Sequence, residues 1–293
     1  MEQFRLIREQ QSPEVIHDFR VATRRLRVCM RLLRRGADLQ SDRKLRRTFR
    51  SLAQACGDTR EWDIALTWAN RWIKARKATA EMLEWVRHFE VQRAQEASRF
   101  QSVLLGEDPE RISAEFTEYI SRAGGISPVT LKYFGQTAIT ERAAGMLEYL
   151  NAANDPLATE QLHALRIASK GLRYTLEIFS TCFEIRPWLD SLKKLQDVLG
   201  ALHDLDVLVA DMRRLIKREM RSHVKTTIGQ IRIVSRQREL RRPLQDAPRR
   251  SRAVVQFARY TIRQRVVAFQ KYYKFWHAMK IEDWTHRLNQ AVL

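Results

Sequence analysis

Two stretches of this chain are versions of one another. His17-Asp18-Phe19-Arg20-Val21-Ala22-Thr23-Arg24-Arg25-Leu26-Arg27 returns as His163-Ala164-Leu165-Arg166-Ile167-Ala168-Ser169-Lys170-Gly171-Leu172-Arg173, every position displaced by 146 residues. His, Arg, an aliphatic, a basic residue, Leu and Arg keep their order and spacing. A weaker pair supports the repeat. Leu52-Ala53-Gln54-Ala55-Cys56-Gly57 precedes Arg60-Glu61-Trp62-Asp63-Ile64, and Leu195-Gln196-Asp197-Val198-Leu199-Gly200 precedes His203-Asp204-Leu205-Asp206-Val207, with an offset of 143. A loop deletion accounts for the three-residue difference, and it makes Gly57 equivalent to Gly200 and Asp63 to Asp206. An internal repeat restricts the fold to two copies of one unit, here packed about a pseudo-twofold axis.

The unit is helical. Only 10 Gly and 7 Pro occur in 293 residues, strong helix formers abound, and strand-like alternation is almost absent. The fold class is therefore all-α: two helical bundles related by internal duplication. Ser12-Pro13-Glu14 supplies an N-cap, a first-turn proline and a first-turn acid. From there a helix is predicted over 13–35, followed by helices over 41–56, 59–76, 79–104, 109–122 and 129–150. The second half is predicted to hold helices over 157–182, 187–200, 202–220, 222–240 and 250–279, with a short terminal one. Gly124-Gly125-Ile126-Ser127-Pro128 is the best linker candidate, which divides the chain into halves 1–123 and 124–293. Arg241-Arg242-Pro243 and Asp246-Ala247-Pro248 mark further breaks.

The first motif helix separates two faces at about 100° per residue. Phe19, Ala22, Leu26, Cys29 and Leu33 form a core stripe. His17, Arg20, Arg24, Arg27, Arg31 and Arg34 form a cationic stripe on another side. In the second copy, Leu165, Ala168, Leu172 and Phe179 repeat the core stripe, and His163, Arg166, Lys170 and Arg173 repeat the cationic one. An ordinary solvated face mixes signs, because like charges one turn apart repel by about 0.2–0.5 kcal/mol per pair. Between His17 and Arg34 the stripe holds no acid, so an anionic ligand would relieve it. The span from His17 to Arg31 is about 21 Å of helix, which suits an extended polyanion better than a single phosphate. The second stripe is shorter and is followed by Glu177.

Net charge agrees. Lys and Arg number 53 against 34 Asp and Glu, a balance of +19 with pI near 10.4. Such a field attracts polyanions. Arg43, Lys44, Arg46, Arg47 and Arg50 extend the first patch, and Lys193 and Lys194 the second. The basic stretch 213–252 is equally well an exposed charged helix pair. Trp62, Trp68, Trp72 and Trp85 fall at core spacings. Tyr272, Tyr273, Phe275 and Trp276 are expected to pack between the bundles. Cys29, Cys56 and Cys182 show no metal-type spacing and no disulfide framework; reduced thiols are expected. The start lacks a secretory apolar core, and no run reaches the roughly 20 apolar residues that span a bilayer. A cytoplasmic protein without membrane association follows as the expectation.

The paired motifs resemble the CHAD domain (conserved histidine α-helical domain). The resemblance rests on His17-x-x-Arg20-Val21-x-x-Arg24-Arg25-Leu26-Arg27, on His163-x-x-Arg166-x-x-x-Lys170-x-Leu172-Arg173-Tyr174, and on Leu195-Gln196-x-x-Leu199-Gly200-x-x-x-Asp204-x-Asp206. It extends over about residues 12 to 280. It implies two pseudo-symmetric bundles, a basic central surface that binds inorganic polyphosphate, and, for some members, association with polyphosphate granules. The implied binding residues are His17, Arg20, Arg24, Arg27, Arg31, Lys44, Arg47, His163, Arg166, Lys170, Arg173, Tyr174, Lys193 and Lys194. Catalysis, cofactor and metal are not expected, whereas weak nucleic-acid association is a by-product the charge would allow. A helical nucleic-acid-binding protein shares the charge but should add stacking aromatics. A metal-dependent phosphohydrolase could use His17-Asp18 or His203-Asp204, but helical neighbours diverge by about 100° and chelate poorly. Asp63 and Asp206 are expected to orient Arg or His side chains, or to cap helices after Gly57 and Gly200.

Overall fold

The computed structural model describes residues 2–36, 43–76, 78–122, 127–230 and 249–293. All regular structure among them is helical. The first half runs α1 (Glu2–Glu9), α2 (Pro13–Gly36), α3 (Arg43–Lys74), α4 (Ala80–Leu105) and α5 (Pro109–Ser121). The second runs α6 (Pro128–Leu147), a short 3-10 turn (Ala152–Asn154), α7 (Thr159–Ile178), α8 (Arg186–Gln230), α9 (Arg249–Met279) and α10 (Ile281–Ala291). The Gly124–Ile126 linker, residues 231–240 of the helix predicted over 222–240, and the breaks at 241–243 and 246–248 lie outside the described residues.

Local chemistry sets most boundaries. Ser12 Oγ accepts from Val15 N at 3.3 Å at the start of α2. Thr79, Asp108 and Ser127 cap α4, α5 and α6 in the same way, each supplying an acceptor to orphan first-turn donors. Three expected breaks are absent. Predicted helices over 41–56 and 59–76 are one helix, α3, and those over 187–200 and 202–220, with the first residues of the one over 222–240, are one helix, α8. Glycine inside a helix costs about 1 kcal/mol, and burial on both sides of Gly57 and Gly200 outweighs it. Capping by Asp63 and Asp206 is thereby excluded. The short α1 was not predicted; it is held by burial of Phe4 and Ile7.

Among the described residues, three cores hold the helices together. The first joins α1, α2, α3, α4 and α5 around Phe19, Phe49, Phe100 and Tyr119. The second joins α6, α7, α8, α9 and α10 around Leu165, Leu172, Phe179 and Trp276. Tyr272, Phe275 and Trp276 therefore fill the second half rather than the junction between halves. The junction is a third core, where Trp72, Trp85 and Phe89 meet Met212, Leu215 and Phe257. Trp72 stacks on Phe257 at 4.9 Å between centroids. In the second half, Gly135 lets α6 approach α7, since a Cβ there would lie 2.8 Å from the Phe179 ring.

Helix α2 is shared between the halves. Ile16, Phe19 and Met30 enter the first core, but Val28 and Leu32 pack against the second. Thus α2 has two apolar faces, and its cationic stripe lies between them. Ala22, Leu26, Cys29 and Leu33 of the predicted core stripe are only half-buried. On α7 the predicted stripe is buried at Leu165, Leu172 and Phe179.

Candidate functional site

The repeated motifs share local geometry down to single hydrogen bonds. Thr23 Oγ1 donates to the Arg20 carbonyl at 3.1 Å, and Ser169 Oγ donates to the Arg166 carbonyl at 3.0 Å. Both hydroxyls are buried. On the long helices, Asp63 accepts from Arg93 Nε at 3.1 Å, and Asp206 accepts from Arg265 Nε. The expected role of these two aspartates, orienting an arginine, is what the geometry shows.

The two motif helices face one another across a cleft of about 450 Å³. From α2 it receives His17, Arg20 and Arg24, and from α7 Arg166, Lys170, Arg173 and Tyr174. Its floor is α8, which presents Lys193, Gln196, Asp197, Gly200, Ala201 and Asp204. Those positions recur every three or four residues and so form one helix face. Arg60 of α3 completes the wall. Seven Lys and Arg side chains thus face two carboxylates, Asp197 and Asp204. Arg25 Nε reaches Glu177 Oε2 at 2.9 Å, tying α2 to α7 beside the cleft.

Burial makes this cluster electrostatically tense. Desolvation and the neighbouring Arg166, Arg24 and Arg20 push the Lys170 ammonium down to about 6. Desolvation lowers Arg166 to about 10, with Asp204 opposing and Arg20 and Arg24 adding to the fall. Arg20 is lowered by burial and by Arg24. The Asp204 carboxyl is raised by burial even though Arg166, Arg60 and Lys170 pull it down. Arg166 Nε is buried without a hydrogen-bond partner. Packed cations with too few counter-charges favour an incoming anion, because buried charge is tolerated when paired.

Several predicted residues sit elsewhere. His163 turns to His203 of α8, the two Nδ1 atoms 3.0 Å apart and the rings 4.2 Å between centroids. Desolvation lowers both imidazoles, His203 to about 3 with help from Arg166, so one neutral ring donates and the other accepts. Arg27 and Arg31 line a separate pocket with Arg34, Arg46 and Arg50. Lys44 donates to Glu115 Oε1 of α5 at 2.7 Å. Arg47 and Lys194 are exposed and line neither cavity. The reason is angular: a basic run on a helix distributes its members around the axis. On α3, Arg46 and Arg50 face α2, while Lys44 faces α5.

Sequence reasoning missed Arg60 and His203 as cleft elements. Their signal was present, since the 143-residue offset superposes Arg60 on His203, each standing on the long helix near the motif histidine. Past Arg20, Arg166 and Asp204 the cleft narrows into a cavity of about 40 Å³ lined by Glu61, His203 and Asp211. Glu61 and Asp211 make that end more acidic than the cleft mouth. Cys56 is buried, donates to the Ile16 carbonyl at 3.3 Å and is pushed up to about 12 by desolvation, so it is an inert thiol. Among the described residues no group of three His, Cys, Asp or Glu side chains is placed to hold a metal ion. None of their helices is long and apolar enough to cross a membrane.

Comparison with known proteins agrees with this architecture. The CHAD domain family model matches residues 2–213, a span that includes both motifs and the face of α8 that floors the cleft. The crystal structure of the CHAD domain from the plant Ricinus communis superposes with a TM-score of 0.66 at 20% identity, covering 94% of this chain and 86% of that one. No curated protein matches the sequence.

Proposed function

Since the chain belongs to the CHAD domain family, we propose that its central cleft binds inorganic polyphosphate without chemically altering it. The observation that carries this reading is the facing of Arg20 and Arg24 by Arg166 and Lys170 across one solvent-open cleft. Arginine grips phosphate oxygens through a fixed fork of donors, and lysine adds a mobile point charge. A repeating polyanion can satisfy both walls at once, where a single phosphate would leave most of the cations unpaired. No step of catalysis enters the reading: His163 and His203 are occupied with each other, and among the described residues no Ser, Thr or Cys side chain lines the cleft. In the cell the protein would be cytoplasmic and would gather at polyphosphate granules.

The test is reversal of both walls. Long-chain polyphosphate should bind with submicromolar affinity that falls steeply with salt, since each phosphate contact releases counterions. Replacing Arg20, Arg24, Arg166 and Lys170 together by Glu should abolish binding. A folded quadruple variant that binds normally would place the site elsewhere. Competition against DNA and RNA at physiological salt separates the helical nucleic-acid-binding alternative. Tyr174 is buried and offers no stacking platform, so polyphosphate should win. Phosphate release with added Mg²⁺ or Mn²⁺, lost in His17→Ala, would instead establish a metal-dependent phosphohydrolase.

A further inference from the structure

Two lysines line the central cleft, and they stand differently. Lys193 is exposed on α8, whereas Lys170 of α7 is half-buried between the two walls. Among the described residues the Lys170 amine makes no hydrogen bond and no ion pair. Lys44, by contrast, donates to Glu115 Oε1 at 2.7 Å. Arg166 precedes Lys170 by one helical turn, and Arg20 and Arg24 face it from α2.

We infer that Lys170 is a modification site: small acyl phosphates, held through their phosphate group by the cleft arginines, transfer their acyl group to its amine, and the resulting amide weakens polyanion binding. The acylation stands without the polyphosphate reading of the cleft, and its effect on binding rests on that reading. Three observations support it.

The first is the approach. Side chains four residues apart on a helix have Cβ atoms about 5–6 Å apart. A phosphate group held by Arg166 therefore leaves the adjoining carbonyl carbon beside Lys170. Arg166 Nε is buried without a hydrogen-bond partner, and a guanidinium fork matches phosphate oxygens. The cleft, at about 450 Å³, admits a small acyl phosphate between its walls.

The second is the state of the amine. Only an unprotonated amine attacks a carbonyl carbon, and an ordinary lysine is almost wholly ammonium at neutral pH. Burial, then Arg166, Arg24 and Arg20, push Lys170 down to about 6, with Asp204 opposing. In the transfer a bond forms between Lys170 Nζ and the carbonyl carbon. The bond from that carbon to the phosphoryl oxygen breaks, its electron pair leaves with phosphate, and the amine proton goes to the same phosphate. The amide left behind carries no charge and adds bulk between the two walls.

The third is the repeat. The equivalent of Lys170 on α2 is Arg24. A guanidinium stays protonated and is no nucleophile near neutral pH. The anion-binding wall therefore needs a cation at this place but not an amine, and only the second wall supplies a group that an acyl donor can neutralise.

The experiment incubates the full chain with acetyl phosphate and follows acetylation of each lysine by peptide mass spectrometry. Lys170 should react about tenfold faster than the exposed Lys193 and Lys194. N-acetoxysuccinimide, an acyl donor without phosphate, is the comparison. Arg166→Ala should slow acetyl phosphate at Lys170 about tenfold and slow the neutral ester less, so the ratio of the two rates falls. Long-chain polyphosphate should protect Lys170 from both reagents. Lys170→Gln, which copies the loss of charge, should weaken polyphosphate binding severalfold, while Lys170→Arg should retain it. Reaction at Lys170 no faster than at Lys193 overturns the site. A rate ratio unchanged in Arg166→Ala overturns the guidance by arginine. Unchanged affinity in Lys170→Gln overturns the effect on binding. Rapid, arginine-guided acetylation with polyphosphate that neither binds nor protects Lys170 would keep the modification site and defeat the polyphosphate reading.

Discussion

The first and second halves carry the same motif helix and use it differently. On α2 the cationic row runs on past the cleft, from Arg24 to Arg27, Arg31 and Arg34, into a second pocket of arginines. On α7 the row stops at Arg173, because Glu177 one turn later pairs with it and with Arg25. The histidines diverge as well. His17 is exposed at the cleft mouth beside Arg60, whereas His163 is held by His203. The two motif helices therefore form matched walls, and the residues at a few positions leave one wall open-ended and the other self-neutralised. The first half carries the longer cationic row, and the second neutralises its own.

The largest effect that could break this contrast concerns the equivalent Asp–Arg pairs. Asp63 is almost wholly buried and holds Arg93, which also donates to the Gln11 carbonyl at 2.7 Å. Asp206, holding Arg265, is more open. Breaking a buried ion pair leaves an uncompensated charge, so Asp63→Ala should lower unfolding stability by about 3 kcal/mol, measured by denaturant titration. Asp206→Ala should cost about 1–2 kcal/mol. Equal losses would mean that the two long helices are supported alike.

The next effect is a pH dependence peculiar to the second wall. Lys170 is lowered to about 6 by burial and its arginine neighbours, so near neutral pH the empty cleft holds it largely uncharged. A polyanion favours the ammonium form. Binding therefore takes up a proton, and affinity falls as pH rises above about 6, by up to about tenfold per pH unit for one proton. Titrations in buffers of different ionisation enthalpy should show net uptake. Lys170→Arg should remove it, because the guanidinium stays charged. Its repeat-equivalent on α2 is Arg24, so the first wall should contribute no such uptake; a pH dependence that survives in Lys170→Arg would assign it to another group. The sign for the unliganded fold is separate. A lysine lowered from its unfolded value penalises folding fully below about pH 6, and the penalty fades as pH climbs toward the unfolded value.

Restoring the first half's residue in the second is a smaller change. Glu177→Arg removes the acid that neutralises Arg173 and extends the second row by one turn. Polyphosphate affinity should rise severalfold, and the salt slope should steepen by about one to two phosphate contacts. Loss of the exposed Arg25–Glu177 tie should cost at most about 1 kcal/mol. Unchanged affinity would show that Glu177 is a structural tie with no influence on the cleft.

These contrasts separate what spacing reveals from what packing decides. The repeat, the helical class, the capping of α2 by Ser12 and the facing of Arg20 and Arg24 by Arg166 and Lys170 are legible in the sequence, because helical periodicity projects directly onto faces. Three features are not. Gly57 and Gly200 read as helix ends, since intrinsic propensity says nothing about the packing that carries a helix through a glycine. Arg27 and Arg31 read as part of the cleft, since a projection of one helix cannot show where its neighbour stops. The pairing of His163 with His203 depends on side chains forty residues apart, whose meeting only the crossing of α7 and α8 decides.

The smallest effect isolates the role of the two mid-helix glycines. A Cβ at either Gly57 or Gly200 would meet nothing within 4 Å, so neither is glycine for want of room against protein atoms. Each alanine substitution should therefore raise stability by about 0.5–1 kcal/mol, the difference in helix propensity. Gly200 lies on the face of α8 that floors the cleft, one turn from Gln196 and from Asp204, whereas Gly57 does not line it. A methyl group at Gly200 would occupy space that a phosphate chain needs for close approach to the helix backbone. Gly200→Ala should thus weaken polyphosphate binding by a few-fold while stabilising the fold, and Gly57→Ala should only stabilise. Equal binding by both variants would remove the floor of α8 from the site and leave the cleft with two walls alone.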